Sequence, residues 1–552
     1  MLLKNALLSL SILSLNFTPE KSVAKVLYGE HTPLYNYKMQ HILLSEAQNL
    51  RNDRTAALEI IHEALEYSRK NRDRSSTVYQ DCMNELGYLL YLENKYQESE
   101  HALNAVIEAY ENTESGDDDT YYDAIKYKAY INSNQGKYSV SDSLLYVLLE
   151  RDYSNDSKLT AHYRWLGYNQ KRRRNLQKAD SLFKLALYHY EYVEENKKSK
   201  YELLWIQKGL AQSKLAAEDF SSADSLLQIC KSYAKSAFGE EHIEYAKVAD
   251  VLVNLHIQLG NYYEAEDYCL QSLRIKESLE HSEENILDSK IDLINIFLGL
   301  SKYKEAEELI REGLTTLLHL KLDNSSPTAT MLYDMVSQFY EDKMDYEEAL
   351  IYARKSVDGR TDWYGKYHIK TASSHHQLAS VLYKLSQYKD SKDIYNLALG
   401  IKKRFRGQRS GTYASSLNGL SLNLIAEKDL SGAEDYLEFC LDVYEELKQQ
   451  EHVDYATVLS SYAYLQSKFG NDNKAEELYK ESLKIYKGKF KGAHLKLGHT
   501  YYALATLKKS SNNFSDALQY YKKAHEHYSN ILGSYHHFAN QIQKEIEALG
   551  TA

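Results

Sequence analysis

The sequence is poor in the residues that interrupt helices. Its 552 residues include only 3 prolines and 23 glycines, too few to separate the short strands of an all-β protein or to supply several flexible linkers. Hydrophobic residues make up 43% and charged residues 26% of the chain, a balance typical of a folded soluble protein. The sequence therefore predicts an all-helical chain without separate appended domains.

Cysteine is equally scarce, with four residues and no Cys-x-x-Cys pair. This number excludes a disulfide framework, and the spacing excludes a zinc cage. Three of the cysteines fall on positions where helices are expected to pack, and an unpaired cysteine behaves as a small hydrophobic residue. We expect free thiols at Cys82, Cys230, Cys269 and Cys440.

Positive charge is also in deficit, because 67 Lys and Arg stand against 78 Asp and Glu, a formal charge of −11. Such a chain has no general basic surface to neutralise phosphates, which argues against nucleic acid or an acidic lipid surface as the principal partner. The sequence contains none of the common phosphate-loop, dinucleotide-binding, zinc-protease, serine-hydrolase or calcium-loop motifs. We therefore expect no catalytic activity and no cofactor.

Three histidine groups could suggest a metal site: His375-His376, His525-x-His527 and His536-His537. Adjacent residues of a helix point in different directions, and no carboxylate stands beside these histidines at a ligand spacing. The sequence therefore predicts no metal site.

The chain begins in the form of a secretory signal. Lys4 precedes the apolar stretch Asn5–Leu15, which is too short to span a membrane. Ser22 and Ala24 supply small residues where a signal peptidase reads them, so we expect cleavage after Ala24 and export to the periplasm or the cell exterior. The alternative is a capping helix on a cytoplasmic protein. No later stretch reaches the ~18 apolar residues of a membrane helix.

A small residue recurs about every 42 positions along most of the chain. A large apolar residue usually precedes it by 13 positions, and a second small residue commonly follows it by seven. These spacings place the residues on one stripe of a helix, where small side chains let two helices approach closely. Each unit is thus predicted to be an antiparallel helix pair. The recurring residues, here called anchors, are Ala57, Ser99, Ser141, Ala179, Ala223, Ala265, Ala306, Ala349, Ser391, Ala433, Ala475 and Ala517.

Stacking of such pairs buries the apolar stripe that a single pair would leave exposed. The sequence therefore predicts an all-α solenoid of about twelve antiparallel helix pairs. We expect a signal peptide over residues 1–24, a lead-in over 25–37, the repeat array over 38–539 and a capping helix over 540–552.

One unit carries a family pattern clearly. Trp165-Leu166-Gly167, followed by Ala179, Phe183 and Ala186, resembles the Leu-Gly…Ala-x3-Phe…Ala pattern of the tetratricopeptide repeat family. The resemblance implies a right-handed superhelix whose first helices line a concave groove. The usual period of this family is about 34 residues, so each unit here carries an extension before the next repeat.

The extension between repeats contains a histidine. Phe238-Gly-Glu-Glu-His242 is similar to the Phe-Gly-x-x-His element of the kinesin-light-chain subtype of these repeats. The heptad segment by which kinesin light chains join their heavy chains is missing. We expect the repeated histidines to close the inter-repeat turn by a bond from side chain to backbone. They are His242, His368, His452, His494 and His536.

The resemblance places positions 15, 11 and 8 before each anchor on the groove. In repeats two to five these positions and one neighbour alternate tyrosine or tryptophan with cations. Such a surface suits an extended peptide with acidic side chains or a free carboxylate. The predicted partner-binding residues are Tyr88, Tyr91, Lys126, Tyr130, Arg164, Tyr168, Lys171, Trp205 and Lys208.

Two further groups of charged residues stand out in the sequence. Asp250, Asp288 and Asp334 are expected near the groove of the middle repeats. The basic run Lys171–Arg174 lies at a turn between helices and is expected to be solvated.

The predicted function is a non-catalytic scaffold or adaptor that binds a partner peptide in the groove. Two other functions stay open: the sensing or regulatory arm of a multi-component protease or signalling system, and a structural protein that assembles with itself. An enzyme is the least favoured class, because the motifs are missing.

Overall fold

The computed structural model describes residues 19–28, 32–51, 53–71, 76–113, 118–279 and 282–550. Within these ranges the regular structure is helical and contains no strand, which confirms the predicted all-α class. None of the helices in the described ranges combines the length and apolar content needed to cross a bilayer. The apolar stretch of the predicted signal falls in residues 1–18, outside the description.

The described residues form two compact bodies, an N-terminal body up to Ser213 and a C-terminal body from Lys214 onward. In the N-terminal body a helix over Pro19–Tyr28 precedes four helix pairs and the start of a fifth. The pairs are Pro33–Asn49 with Arg54–Asn71, Thr77–Leu92 with Tyr96–Thr113, Asp118–Asn134 with Tyr138–Arg151, and Asp156–Arg172 with Leu176–Tyr192; the first helix of repeat 5 is Lys200–Ala216.

The C-terminal body begins with the second helix of repeat 5, Phe220–Phe238, and ends with a closing helix, His537–Gly550. Seven complete pairs lie between them. They are Ile243–Gln258 with Tyr262–Ser278, Glu283–Gly299 with Tyr303–His319, Pro327–Asp342 with Tyr346–Tyr364, Ile369–Lys384 with Tyr388–Arg406, Gly411–Ala426 with Leu430–Glu446, Val453–Phe469 with Asp472–Lys489, and Leu495–Ser510 with Phe514–Leu532.

The predicted anchors are the centres of packing within each pair. All twelve are fully buried, at 0% exposure. Where the anchor is serine, its hydroxyl can use a carbonyl of the facing helix: Ser99 Oγ donates to Gly87 O at 2.6 Å, and Ser391 Oγ donates to Ala379 O at 2.7 Å. Serine therefore replaces alanine at this position without leaving an unpaired buried hydroxyl.

Glycines of two first helices make room for a large side chain of a second helix. In repeat 4 the buried ring of Phe183 lies against two glycines. A Cβ atom at Gly167 would come within 2.9 Å of that ring, and one at Gly209 within 2.5 Å. Glycine at these two positions is thus required by the close approach of the helices.

The repeated histidines cap the first helices, as predicted. In each of five repeats the imidazole Nδ1 accepts a hydrogen bond from the backbone amide two residues later, which is one of the amides without an intrahelical partner. The Nδ1 to N distances are 3.1 Å for His242, 3.2 Å for His368, 3.0 Å for His452, 3.1 Å for His494 and 3.3 Å for His536.

The cysteines are free and buried, which confirms their predicted packing role. Burial raises the pKa of the Cys82 thiol to about 12. A thiol in that condition is a poor nucleophile at neutral pH.

Candidate functional site

The first helices of repeats 2 to 5 enclose a cavity of about 720 Å³ in the N-terminal body. Eight of the nine residues predicted to bind a partner line it. They are Tyr88, Tyr91, Lys126, Tyr130, Arg164, Tyr168, Trp205 and Lys208.

These side chains converge because equivalent helices are stacked side by side. Tyr88, Tyr130 and Tyr168 each stand 11 residues before the anchor of their own repeat. Equivalent positions of neighbouring first helices face the same concave surface. The tyrosines that recur at one offset in the sequence therefore lie along one continuous wall of the cavity.

Aromatic rings lie against one another along this wall. Tyr130 and Trp165 are parallel, with ring centroids 4.3 Å apart and planes 18° apart. Tyr88 and Tyr127 lie 4.9 Å apart. Burial raises the pKa of the Tyr130 hydroxyl well above its usual value, so this ring is neutral at any physiological pH.

The sequence prediction missed Tyr127 and Trp165, although a signal for both was present. Each stands three residues before a predicted site tyrosine, Tyr130 or Tyr168, and residues three apart share a helix face. The spacing of three residues from Tyr130 and Tyr168 therefore predicts both.

The predicted cations are held by carboxylates that the sequence prediction did not include. Arg164 donates Nε to Glu202 Oε2 at 2.6 Å and Nη2 to Glu202 Oε1 at 2.9 Å. The Arg164 guanidinium also lies 4.9 Å from the ring centroid of Trp205. Lys126 Nζ contacts Asp123 Oδ1 at 2.6 Å. Two of the predicted anion-binding groups are thus already paired and fixed in place.

A second charged group lies at the repeat 3–4 side of the cavity. Asp152 bonds His162 Nε2 at 2.9 Å, and its other oxygen lies 3.5 Å from Arg151 and 3.4 Å from Lys158. Burial lowers the pKa of His162 in spite of this carboxylate. The imidazole is therefore neutral at pH 7.

The cavity lining carries more positive than negative charge. Three carboxylates face five cations, an excess of two positive charges in a chain of net charge −11. Such a local excess attracts an anionic group of a ligand. The carboxylates are Asp123, Asp152 and Glu202, and the cations are Lys126, Arg151, Lys158, Arg164 and Lys208.

Lys171 is the one predicted residue that does not line the cavity. Its ammonium donates to Gln212 Oε1, and burial lowers its pKa to about 7. Its neighbours bond repeat 3: Arg172 Nη1 lies 3.1 Å from Ser133 O, and Arg173 pairs with an aspartate. Arg172 and Arg173 are exposed, as expected for a solvated turn, and the same turn is also joined to the preceding repeat.

The aspartates of the middle repeats have structural partners inside the C-terminal body. Asp250 pairs with Lys276 at 2.8 Å, and Asp288 accepts from Thr328 Oγ1 at 2.8 Å. In the part of the chain that the structure describes, no three His, Cys, Asp or Glu side chains converge in a way that could hold a metal ion.

Tetratricopeptide repeat models match residues 246–280, 327–404 and 412–488. These segments lie in repeat 6 and in repeats 8 to 11 of the structure. The chain therefore carries tetratricopeptide repeats.

A relative supports the predicted subtype. Kinesin light chain-related 3 of Arabidopsis thaliana is 23% identical over 241 residues, which are 42% of this chain. The matched part of the chain spans 35% of that relative's length. The repeats are thus of a kind similar to those of kinesin-light-chain-related proteins.

Two solved structures share the fold. A Rap protein crystallised with competence and sporulation factor matches 71% of this chain and 99% of its own, with a TM-score of 0.50 and 12% identity. The Cut9–Hcn1 heterotetramer of the APC/C contains a chain that matches over 96% of both, with a TM-score of 0.52 and 12% identity. Arrays of this class present extended concave surfaces to other proteins.

Proposed function

We propose that this protein is a non-catalytic scaffold that binds an extended segment of a partner protein in the cavity of its N-terminal body. The observation that carries the proposal is the convergence of eight predicted residues on one aromatic cavity. Four successive first helices contribute to it, so a bound segment would contact several repeats at once.

The lining favours a segment that combines an aromatic or large apolar side chain with a carboxylate. Stacked rings such as Tyr130 and Trp165 offer flat apolar surface for the former. The excess of cations offers charge-assisted hydrogen bonds to the latter. The ion pair of Arg164 with Glu202 holds the wall in position before the partner arrives, which lowers the entropic cost of binding.

A capture experiment with cavity variants tests this proposal. We expect the full chain to retain a partner from the native extract and the triple variant Tyr88→Ala, Trp205→Ala, Lys208→Glu to lose it. Loss of central aromatic and charged contacts of this kind typically weakens binding by about 2 kcal/mol or more, roughly 30-fold. Arg164 is left intact because its removal would leave Glu202 without its partner.

The matched control changes a tyrosine, a leucine and a lysine that do not line the cavity. Tyr188→Ala, Leu185→Ala and Lys184→Glu alter exposed side chains of the second helix of repeat 4. This control should retain the partner, and a peptide from the captured protein should change the fluorescence of Trp165 and Trp205. Equal capture by the cavity variant and the control would refute the assignment of the cavity.

We also propose that the protein is exported, because its N-terminal segment has the form of a secretory signal. The predicted cleavage site lies within the helix Pro19–Tyr28, where Ala24 is buried and Lys21 pairs with Glu46 at 2.8 Å. Processing would remove the first half of this helix together with that ion pair. We expect the intact mass of the native protein to correspond to a chain that begins at Lys25. A mass that includes Met1 would favour the cytoplasmic alternative.

A further inference from the structure

Successive coils of the C-terminal body touch along a regular line of hydrogen bonds, here called the coil seam. On one side of the seam lies the end of the first helix of repeats 5 to 8, or the turn after it. On the other side lies the start of a helix that is 193 to 195 residues later in the chain. The bonds are Gly411 N to Glu218 Oε2 at 3.1 Å, His452 Nε2 to Gln258 O at 2.8 Å, His494 Nε2 to Gly299 O at 3.0 Å, and His536 Nε2 to Lys343 O at 3.3 Å.

Three of these bonds use the second nitrogen of a capping histidine. Because Nδ1 accepts from the amide two residues later, the ring proton resides on Nε2 and is donated across the seam. The acceptor carbonyls of Gln258, Gly299 and Lys343 lie at helix ends, where a carbonyl has no intrahelical partner. Each ring therefore satisfies orphan groups of two coils at once.

The coils also approach closely beside these bonds. At Gly260, which has a φ of +66°, a Cβ would lie 3.0 Å from a side-chain methyl of Val453. Lys489 Nζ donates to Asn261 Oδ1 at 2.7 Å, one residue further along the turn. The amide of Leu495 lies 3.3 Å from Ser301 Oγ. The seam is thus a packed contact and not a chance approach of three rings.

We propose that His494 and His536 are proton-sensitive latches, which hold the coils of the C-terminal body together when neutral and release them when protonated. A protonated imidazole carries hydrogen on both nitrogens. Its Nδ1 can no longer accept from the backbone, and the amide that pointed at it is repelled. This switch is independent of the partner cavity, which lies in the other body.

The groups around the latches determine the direction of the pH effect. His494 stacks on Phe490 and has Lys496 and His527 nearby; burial, aided by both, lowers its pKa to about 3. Burial also lowers the pKa of His536, which has Lys343 and His537 beside it.

His452 also makes a seam bond, and a carboxylate lies beside its ring. Its Nδ1 lies 3.7 Å from Asp454 Oδ2, and its ring faces that of Tyr444. His452 is included in the test because it makes the same kind of seam bond as His494 and His536.

The sign of the effect follows from proton linkage. An open seam leaves the imidazoles of His494 and His536 near their ordinary pKa of about 6.5, whereas burial in the closed seam lowers the pKa of both, that of His494 to about 3. The open state therefore binds more protons as the pH falls below about 6.5, and closure weakens. Between pH 7.5 and 5.5 the His494 latch should favour opening by about tenfold, and His536 should act in the same direction.

Hydrogen exchange on the full chain tests the proposal through the amides of residues 297–302 and 493–497. The triple variant His452→Asn, His494→Asn, His536→Asn keeps a capping oxygen for the backbone amide but is too short to cross the seam. The matched control is His368→Asn, because His368 makes the same cap and no seam bond among the described residues.

We expect the seam amides of the wild type to lose protection on acidification from pH 7.5 to 5.5. The triple variant should have at least about tenfold lower protection at pH 7.5 and a smaller further loss at pH 5.5. Asp292 and Asp342, whose pKa values burial raises to about 7, titrate in every variant. The difference between the wild type and the triple variant therefore isolates the histidines.

Two results would overturn the proposal. The first is equal seam protection in the triple variant and in His368→Asn at pH 7.5. The second is an equal loss on acidification in the wild type and the triple variant. If the triple variant loses helical circular dichroism, the single variant His536→Asn provides the comparison at the amides of residues 341–346 and 535–540, which flank its bond to Lys343.

Discussion

Replacing Phe183 with alanine should destabilise the N-terminal body by about 3–5 kcal/mol. The ring is fully buried, and the two glycines that face it, Gly167 and Gly209, have no side chains that could move into the space. A cavity bounded by backbone collapses little, so the cost should lie at the upper end of this range.

Urea unfolding followed by tryptophan fluorescence measures this effect, since Trp165 and Trp205 report on the same body. Leu185→Ala is the control, because Leu185 stands two residues further along the same helix and is 42% exposed. The Phe183→Ala variant should unfold at a clearly lower urea concentration than this control. Coinciding midpoints would mean that the contact between ring and glycines contributes little to stability.

The same substitution should also weaken partner binding. The Phe183 ring lies 5.2 Å from that of Tyr168 in an edge-on contact, and Tyr168 donates its hydroxyl to the backbone of Trp205 at 2.7 Å. Core packing in repeat 4 therefore positions two residues of the cavity wall.

The repeats could be predicted from the sequence because their period is local. Each anchor, such as Ala179 with Phe183 four residues later, has its packing partners within its own helix pair or in the next one. The cavity wall was predictable for the same reason, since Tyr88, Tyr130 and Tyr168 repeat at one offset.

The pairing of charges across helices was not predictable. Arg164 meets Glu202, which lies 38 residues later in the chain, and that meeting depends on how far one first helix is rotated against the next. Lys171 shares its offset with Tyr91 but bonds Gln212 instead of lining the cavity. Spacing gives the face of a helix, whereas the neighbouring helix decides what each side chain touches.

The coil seam could not be predicted from the sequence either. Its partners are about 194 residues apart, and their meeting depends on small rotations between repeats that accumulate over nearly five units. The histidine pattern identified the caps correctly. It could not show that the second ring nitrogen reaches another coil.

Replacing Asp334 with alanine should destabilise the C-terminal body by about 3–5 kcal/mol, because it leaves a buried guanidinium without its counter-charge. Arg360 Nη2 lies 2.6 Å from Asp334 Oδ2, and both side chains are nearly inaccessible to solvent. Asp334 also accepts from Ser374 Oγ at 3.0 Å. Burial raises the pKa of this carboxyl despite the nearby arginine, which shows how strongly the site is desolvated.

Hydrogen exchange of the helix Ile369–Lys384 measures the loss, since Arg360 donates to Lys370 O at 2.8 Å. The double variant Asp334→Leu, Arg360→Met removes both charges and keeps most of the volume. It should recover most of the lost stability, because replacing a buried ion pair by apolar groups is often neutral. Single and double variants of equal stability would show that the pair is not what the site depends on. If the recovery occurs, the contribution of Asp334 to repeat 8 is structural: it neutralises the buried guanidinium of Arg360, and an apolar pair can replace both.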